Sequence, residues 1–360
     1  NVLEVIQSLL DVTWENLNTG HWSEVPVEER SLYSTLSLIK VIVIIQSQVR
    51  MNGPVDESLK EALRAADLGL LLGSSLRKEL SHAANLLSSA LFKGNVSNPL
   101  GNGCLDNIED KPGDWNFKGV FGELVDNLKC PSLEYFSKNH FTNKKPVKLT
   151  ECINHWPALR KWRDVNYLLK VGGPRTVPVE LGSAYTQSDW GMQLLTLHDF
   201  ILKHIIEKGT TTGYLAQHQL FNQIPELKAD IRVPEYCYLS EREEDDDNVD
   251  INAWFGPSGT VSPLHYDPKH NLLTQIVGRK RVLLYCPEDS EKLYSHGGLM
   301  LHNTAKVDPY EPDYESYPNY KFAKAYECHL YPGEMLYIPP KWWHHVRSLD
   351  VSFSVSFWWE

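Results

Sequence analysis

Apolar residues recur at helical spacing through the first 92 positions. Leu32, Leu36, Ile39 and Val43 fall at i, i+4, i+7 and i+11. Leu59, Leu63, Ala66 and Leu70 repeat the spacing, and Leu76, Leu80, Ala84, Leu87 and Leu91 continue it. Each set lines one face of a helix, so the pattern predicts amphipathic helices packed as a small bundle or helical array, with the stripes as core. Gly20, Gly53–Pro54 and Gly73 read as breaks between them. From Lys93 to Asn116 the periodicity disappears among Gly94, Asn98–Pro99, Gly101, Gly103, Pro112 and Gly113. Such a stretch is too polar and too broken to pack and reads as a linker. The expected division is a helical N-terminal domain over 1–92, a flexible linker over 93–116, and a second domain over 117–360.

Beyond residue 117 the pattern becomes mixed and then strand-rich. Pro146 to Thr150 and Val177 to Leu181 read as short strands, and Leu197 to Lys208 as a helix. From Asn252 onward, alternating stretches are separated by turn signals at Pro257–Gly259, Asp267–Pro268, Pro287–Asp289 and Pro332–Gly333. Short strands at regular spacing predict a sandwich or barrel. The last of them, Val351 to Trp359, alternates bulky residues with Ser352, Ser354 and Ser356. That serine face is either solvent-exposed or leaves room for a ligand. The acidic block Glu241 to Asp250 reads as solvated or disordered.

Composition narrows the function classes. The 360 residues are 42% hydrophobic and 22% charged, ordinary for a globular chain. A net charge of −11 disfavours a nucleic-acid backbone as ligand and suits a basic protein or peptide partner. The six cysteines lie far apart with no Cys-x-x-Cys pair, which disfavours a structural zinc site and fits a reducing compartment, nucleus or cytoplasm. The cluster Lys144–Lys148 reads as solvated surface, with a weak nuclear signal as its alternative. No basic-then-apolar leader is visible. The longest apolar run, Val41 to Ile45, is too short to span a bilayer, so no membrane role is expected. The counts of 11 Trp and 17 Tyr are high enough to suggest an aromatic-lined pocket.

The chemically informative segment is Val261-Ser-Pro-Leu-His265-Tyr-Asp267. In a strand, residues i and i+2 share a face, so His265 and Asp267 would point together. Imidazole plus carboxylate is two-thirds of the facial triad that holds non-haem Fe(II) and leaves coordination positions open. Alone, a His-x-Asp pair is as readily a hydrogen-bonded pair in a strand. A third histidine, in Tyr331-Pro-Gly-Glu-Met-Leu-Tyr-Ile-Pro-Pro-Lys-Trp-Trp-His344-His345-Val, supplies the missing ligand type on a turn, strand and return.

Three stretches together resemble the JmjC oxygenases, nearest to the small hydroxylases among them: Asn252 to Asp267, Asn271 to Lys280, and Ile338 to Val346. The resemblance covers about residues 120–360. It implies an α+β chain in which a double-stranded β-helix, a cupin-like jelly-roll, follows the all-α N-terminal domain. It also implies iron on His265, Asp267 and His344, with His345 as the alternative last ligand. Lys280, thirteen residues after Asp267, would pair the distal carboxylate of 2-oxoglutarate, helped by Tyr214, Ser262 and Asn271. The resemblance implies dioxygen as the oxidant, with succinate and carbon dioxide as by-products of oxidising a substrate C–H bond. Glu180, Tyr185, Trp190, Gln217 and Trp254 match the family's substrate pocket. Glu180 would pair a guanidinium and the two indoles would stack on it.

Three readings follow. Arginyl hydroxylation of a basic protein is preferred, histone lysine demethylation by N-methyl hydroxylation is the second, and a catalytically silent cupin-like binding module is the third. A monomer is expected, because no helical pair follows the final strand.

Overall fold

A computed structural model describes residues 2–19, 24–51, 55–92, 103–105, 119–207, 209–241, 248–298 and 301–360. Backbone contacts divide the chain into two compact units. One holds 1–101 with 168–177 and 194–199, and the other holds the remaining residues.

The first unit contains α1 (Val2–Leu17), α2 (Val27–Met51), α3 (Val55–Leu72) and α4 (Arg77–Phe92). The stripes on α3 and α4 are buried as the periodicity predicts: Leu63, Ala66, Leu80 and Ala84 are at most 1% exposed. Only half of the stripe on α2 is core: Leu36 is buried and Val43 packs against its cluster. Leu32 and Ile39 are exposed, whereas Tyr33, Ser34, Ser37, Val41 and Ile44 are buried. The cause is a seam of small residues between α2 and α3. A Cβ on Gly69 would lie 2.7 Å from the Ser37 Cβ, and one on Gly73 would overlap the Ser34 hydroxyl. The two backbones therefore approach through Ser and Gly, which hydropathy scores as surface. Gly73 is a packing residue as well as a break. By length and composition, Val27–Val49 of α2 could also cross a membrane, which the short apolar run had not suggested; a third of that window is buried.

A buried ion pair ties segment 168–177 to this unit, and the Leu197 and His198 N–H groups of 194–199 donate to the Arg175 and Gly173 carbonyls at 2.8 and 2.9 Å. Arg175 donates from Nε and Nη2 to Asp67 at 3.0 and 2.7 Å, and the Thr176 N–H donates to the same carboxylate at 2.7 Å. Asp67 is 0% exposed, so these hydrogen bonds offset its desolvation.

The second unit carries fourteen strands among the described residues: β1 (Glu123–Leu124), β2 (Asn127–Lys129), β3 (Val147–Thr150), β4 (Thr176–Leu181), β5 (Gly191–Thr196), β6 (Gly213–His218), β7 (Asp250–Gly256), β8 (Val261–Tyr266), β9 (His270–Val277), β10 (Lys280–Tyr285), β11 (Ala325–Leu330), β12 (Met335–Ile338), β13 (Trp343–Ser348) and β14 (Ser352–Trp359), with the outer ends of β4 and β5 reaching into the first unit. They form a five-stranded sheet ordered β1-β11-β10-β13-β8 and a nine-stranded sheet ordered β2-β3-β12-β9-β14-β7-β6-β4-β5. The arrangement is the α+β, cupin-like fold the sequence implied. Inner faces of the two sheets meet, and side chains from both line one pocket.

The serine face of β14 is not solvent-exposed, and Trp358 on the same face lines the pocket described below. Ser352, Ser354 and Ser356 are 0% exposed and bind Gln275 and the Trp254 indole N–H. Of the expected linker, only 103–105 is described. There Leu105 is buried and its N–H donates to the Arg163 carbonyl at 2.7 Å. The rest of it, and residues 242–247 of the acidic block, lie outside the described residues.

Candidate metal centre

Antiparallel pairing of β8 with β13 sets His265 directly opposite His344, with ring centroids 4.3 Å apart. Each ring is fixed by its own strand. His265 Nδ1 lies 2.7 Å from the Pro263 carbonyl oxygen, and His344 Nδ1 lies 3.0 Å from that of Trp342. A carbonyl oxygen only accepts, so in the neutral ring the proton sits on Nδ1 and Nε2 keeps a lone pair for a metal. Asp267 closes the set. Its Oδ2 is 3.5 Å from His344 Nε2 and 4.0 Å from His265 Nε2. That oxygen is buried without a hydrogen-bond partner. One donor atom from each of the three residues lies within 4.8 Å of the others.

Electrostatics favour the ligating protonation states. Burial, then the neighbouring His344, lower the His265 imidazole to about 4, so it is neutral at pH 7. Burial pushes the Asp267 carboxyl up, but His344 and His265 outweigh that and hold it below its ordinary value. Two imidazole lone pairs and an unpartnered carboxylate oxygen therefore converge, and this donor set fits a non-haem divalent iron with open positions.

Strand alternation would place Ser262 and His265 on opposite faces. They share one because the register shifts. Val346 faces Ser262 while His344 faces His265, so Pro263 and Leu264 together oppose His345. This is a β-bulge, and proline, which has no N–H to give to the ladder, is tolerated there. The extra residue turns both side chains inward.

The pocket beside the three ligands is lined by Tyr214, Trp254, Ser262, Asn271 and Lys280. Lys280 is 1% exposed and its Nζ lies 3.2 Å from the Tyr214 hydroxyl. Among the described residues no carboxylate pairs with it, and burial lowers its ammonium to about 7. The Asn271 Oδ1 is also buried without a partner. A desolvated ammonium flanked by hydroxyl and amide groups suits a small dicarboxylate. Lys280 is placed by the turn from β9 to β10. Gly278 sits there at φ +68°, and any Cβ would overlap the Val351 carbonyl. Gly256 sets Tyr214 in the same way: an added Cβ would lie 2.7 Å from the Tyr214 ring. We expect Gly256→Ala to raise the KM for the dicarboxylate about tenfold by displacing that phenol, an effect of about 1.4 kcal/mol read by steady-state kinetics; an unchanged KM would exclude a role for Tyr214 position.

Four residues that the sequence reading did not single out also line this pocket, Leu273, Ile338, Val346 and Trp358. Trp358 carries a buried indole N–H without a partner. Its place at the end of an alternating strand gave no signal that distinguished it from core.

The five expected substrate contacts divide. Glu180 stands opposite Tyr214 in the β4–β6 pairing. Burial raises its carboxyl, the Trp190 side chain lowers it in part, and no cation among the described residues pairs with it. Tyr185 lies 3.4 Å from the Thr304 hydroxyl and close enough to Asp267 and Glu180 to feel both charges. Trp254 lines the pocket and donates to Ser356 at 2.9 Å. Gln217 is apart from these. It is exposed at φ +47° in a bulge of β6 and does not line the pocket. His345 faces away from the ligands, its ring 5.1 Å from Tyr310, as alternation along β13 requires.

Comparison with known proteins identifies the family. Residues 132–360 match a family described as a cupin-like domain. The chain is 42% identical over 98% of its length to lysine-specific demethylase 8 of Xenopus tropicalis, covering 87% of that protein. It is 42% identical over 99% of its length to the protein of the same name from Danio rerio, covering 87% of it. Jumonji C domain-containing protein 5 of Drosophila melanogaster is likewise 42% identical over 99% of this chain and 86% of that protein. The chain belongs to the cupin-like JmjC family and is a 2-oxoglutarate-dependent dioxygenase.

Proposed function

We propose that the chain is an Fe(II)-dependent protein hydroxylase that oxidises a carbon of an arginyl side chain in a basic protein. Iron is held by His265, Asp267 and His344, and 2-oxoglutarate by Lys280, Tyr214, Ser262 and Asn271. Bound together, the metal, 2-oxoglutarate and dioxygen supply the oxidising power for a C–H bond, with succinate and carbon dioxide released. The protein positions what reacts. Lys280 neutralises the far carboxylate of the co-substrate, and the hydrogen bonds to Pro263 and Trp342 hold both imidazoles in their ligating tautomer. Apolar Leu273, Ile338 and Val346 keep water from the pocket.

The observation that carries the arginyl reading is Glu180. It is a desolvated carboxylate without a cationic partner, set against the Trp190 indole and across from Tyr214. A guanidinium is planar, stays charged, stacks on indole and pairs a carboxylate in two places. The acidic net charge favours basic partners, histones among them. The names of the relatives support a second reading, demethylation of an N-methyl lysine in the same pocket, since a methylated ammonium also suits a carboxylate among aromatic rings. They are in keeping with a nuclear or cytoplasmic setting.

Mass spectrometry of arginyl and N-methyl-lysyl peptides incubated with Fe(II), 2-oxoglutarate and ascorbate separates the two. Gain of one oxygen on arginine supports hydroxylation, and loss of methyl with formaldehyde supports demethylation. Glu180→Gln should lower kcat/KM for the basic peptide by about a hundredfold, the cost of about 3 kcal/mol for unpairing a buried cation. Substrate-independent succinate formation should stay unchanged. A variant with unaltered peptide kinetics would remove Glu180 from the substrate pocket.

A further inference from the structure

A second cavity, of about 280 Å³, lies against the other face of the metal-bearing strands. His345 of β13 forms part of its floor. That side chain is 2% exposed and its Nδ1 has no hydrogen-bond partner. Val261 and Pro263 of β8, with Ala305 and Val307, form an apolar wall, and Thr186, His296 and Tyr317 add polar groups to the lining. The rim holds exposed Gln187, Lys306 and Asp308, so it carries one cation and one anion and selects for neither sign. Here the Pro263–Leu264 bulge has a second consequence. The backbone that turns Ser262 and His265 toward the metal presents Val261 and Pro263 to this cavity.

The loop after β4 joins the two sites. Ala184 and Thr186 line the second cavity. Tyr185, between them, reaches the Thr304 hydroxyl, and Thr304 in turn is bridged to His265. A peptide whose target side chain passes Tyr185 would therefore run along a loop whose next residues open into the second cavity. Tyr185, near Asp267 and Glu180, is followed directly by Thr186 of the second cavity, so about three extended residues of a peptide running along this loop, at about 3.4 Å each, pass from one site to the other.

We propose that this cavity is a specificity subsite for the protein substrate, receiving a tyrosine or tryptophan side chain within about three residues of the oxidised residue. This rests on the reading of the chain as an oxygenase of protein side chains. The volume falls just below the range of about 300–1,000 Å³ that holds drug-sized ligands, and suits a single large side chain. The apolar wall takes the ring. One buried, unpartnered nitrogen at the floor calls for one neutral polar atom on the guest, a phenol O–H or indole N–H. An aliphatic guest would leave that nitrogen unsatisfied, and a charged one would meet no net countercharge.

The test uses peptides with a central arginine in a basic background, varied one position at a time over three residues on each side, and turned over by the full chain with Fe(II) and 2-oxoglutarate. Wild-type protein should prefer Tyr or Trp over Ala at one position by at least about tenfold in kcat/KM, as expected for burying an aromatic side chain. Thr186→Trp, which fills the cavity from the loop, should erase that preference while leaving the rate on the Ala peptides and substrate-independent succinate formation unchanged. Val261→Phe fills it from the opposite wall and should act alike, so one variant that fails to fold does not end the test. His345→Phe should remove the preference for Tyr over Phe. Less than twofold selectivity at every position, or selectivity that survives both filling variants, overturns the subsite. If no arginyl peptide is oxidised, the arginyl reading fails instead, and the same library built on a central N-methyl lysine carries the test of the cavity.

Discussion

Replacing Asp267 by Ala is expected to abolish turnover and to weaken Fe(II) binding by more than about a hundredfold, beyond the loss of about 10- to 100-fold typical of partners that only orient metal ligands. Asp267 is the only one of the three ligands that supplies charge. Both histidines turn Nδ1 to a backbone carbonyl and Nε2 to the site, so as ligands they offer lone pairs and no countercharge to a divalent ion. Its Oδ2 is also the one oxygen among the ligands left buried without a partner. The experiment titrates Fe(II), or Mn(II) as its redox-stable substitute, into anaerobic protein and follows the melting temperature. Wild-type protein should gain stability as metal is added, because a ligand that binds only the folded state stabilises it by mass action. The variant should gain none. Wild-type metal affinity or wild-type succinate formation in Asp267→Ala would sink the assignment.

Lys280→Met should raise the KM for 2-oxoglutarate by about 100- to 1,000-fold, the equivalent of about 3–4 kcal/mol for leaving a buried carboxylate unpaired. Its effect on the fold without co-substrate has the opposite sign. Lys280 is buried with only the Tyr214 hydroxyl beside it, and burial lowers its ammonium from 10.5 to about 7. Between those two values the unfolded chain binds more protons than the folded one, so stability without 2-oxoglutarate rises with pH across that window. Methionine removes this dependence, and the variant should melt higher than wild type near pH 7. For wild-type protein at pH 8, co-substrate binding restores the charge and should take up close to one proton, measurable by calorimetry in buffers of different ionisation enthalpy. Binding without proton uptake, or a variant with unchanged KM, would show that Lys280 does not face the co-substrate.

Legibility varied with the physics involved. The His265–Asp267 pair could be read from strand alternation, since side chains two apart share a face. Ser262 could not, because it needs the register shift at Pro263, which depends on what β13 places opposite it. It entered through family resemblance alone. The faces of α3 and α4 were legible because Leu and Ala make those contacts. The buried face of α2 was legible at Leu36 and Val43 and misread at Leu32 and Ile39, because Ser34, Ser37, Gly69 and Gly73 make the approach to α3 and no hydropathy scale rewards them. Burial of the β14 serines was hidden for a related reason: their partners, Gln275 and Trp254, are remote in sequence. Lys280 stood in an ordinary-looking basic run, and its full burial depends on the turn at Gly278.

Both candidate ligand rings are anchored to carbonyls two residues earlier on their own chain, by Nδ1 contacts of 2.7 and 3.0 Å. Their orientation thus belongs to the backbone and comes into being when β8 pairs with β13. An ion arriving there has no imidazole rotamers to freeze and no strands to assemble. Occupancy and folding are therefore separable, unlike the small zinc domains that are unfolded until loaded. Stripping the metal would silence the enzyme while leaving its architecture in place, ready for reloading, so that the supply of iron acts on this protein as a reversible control of activity.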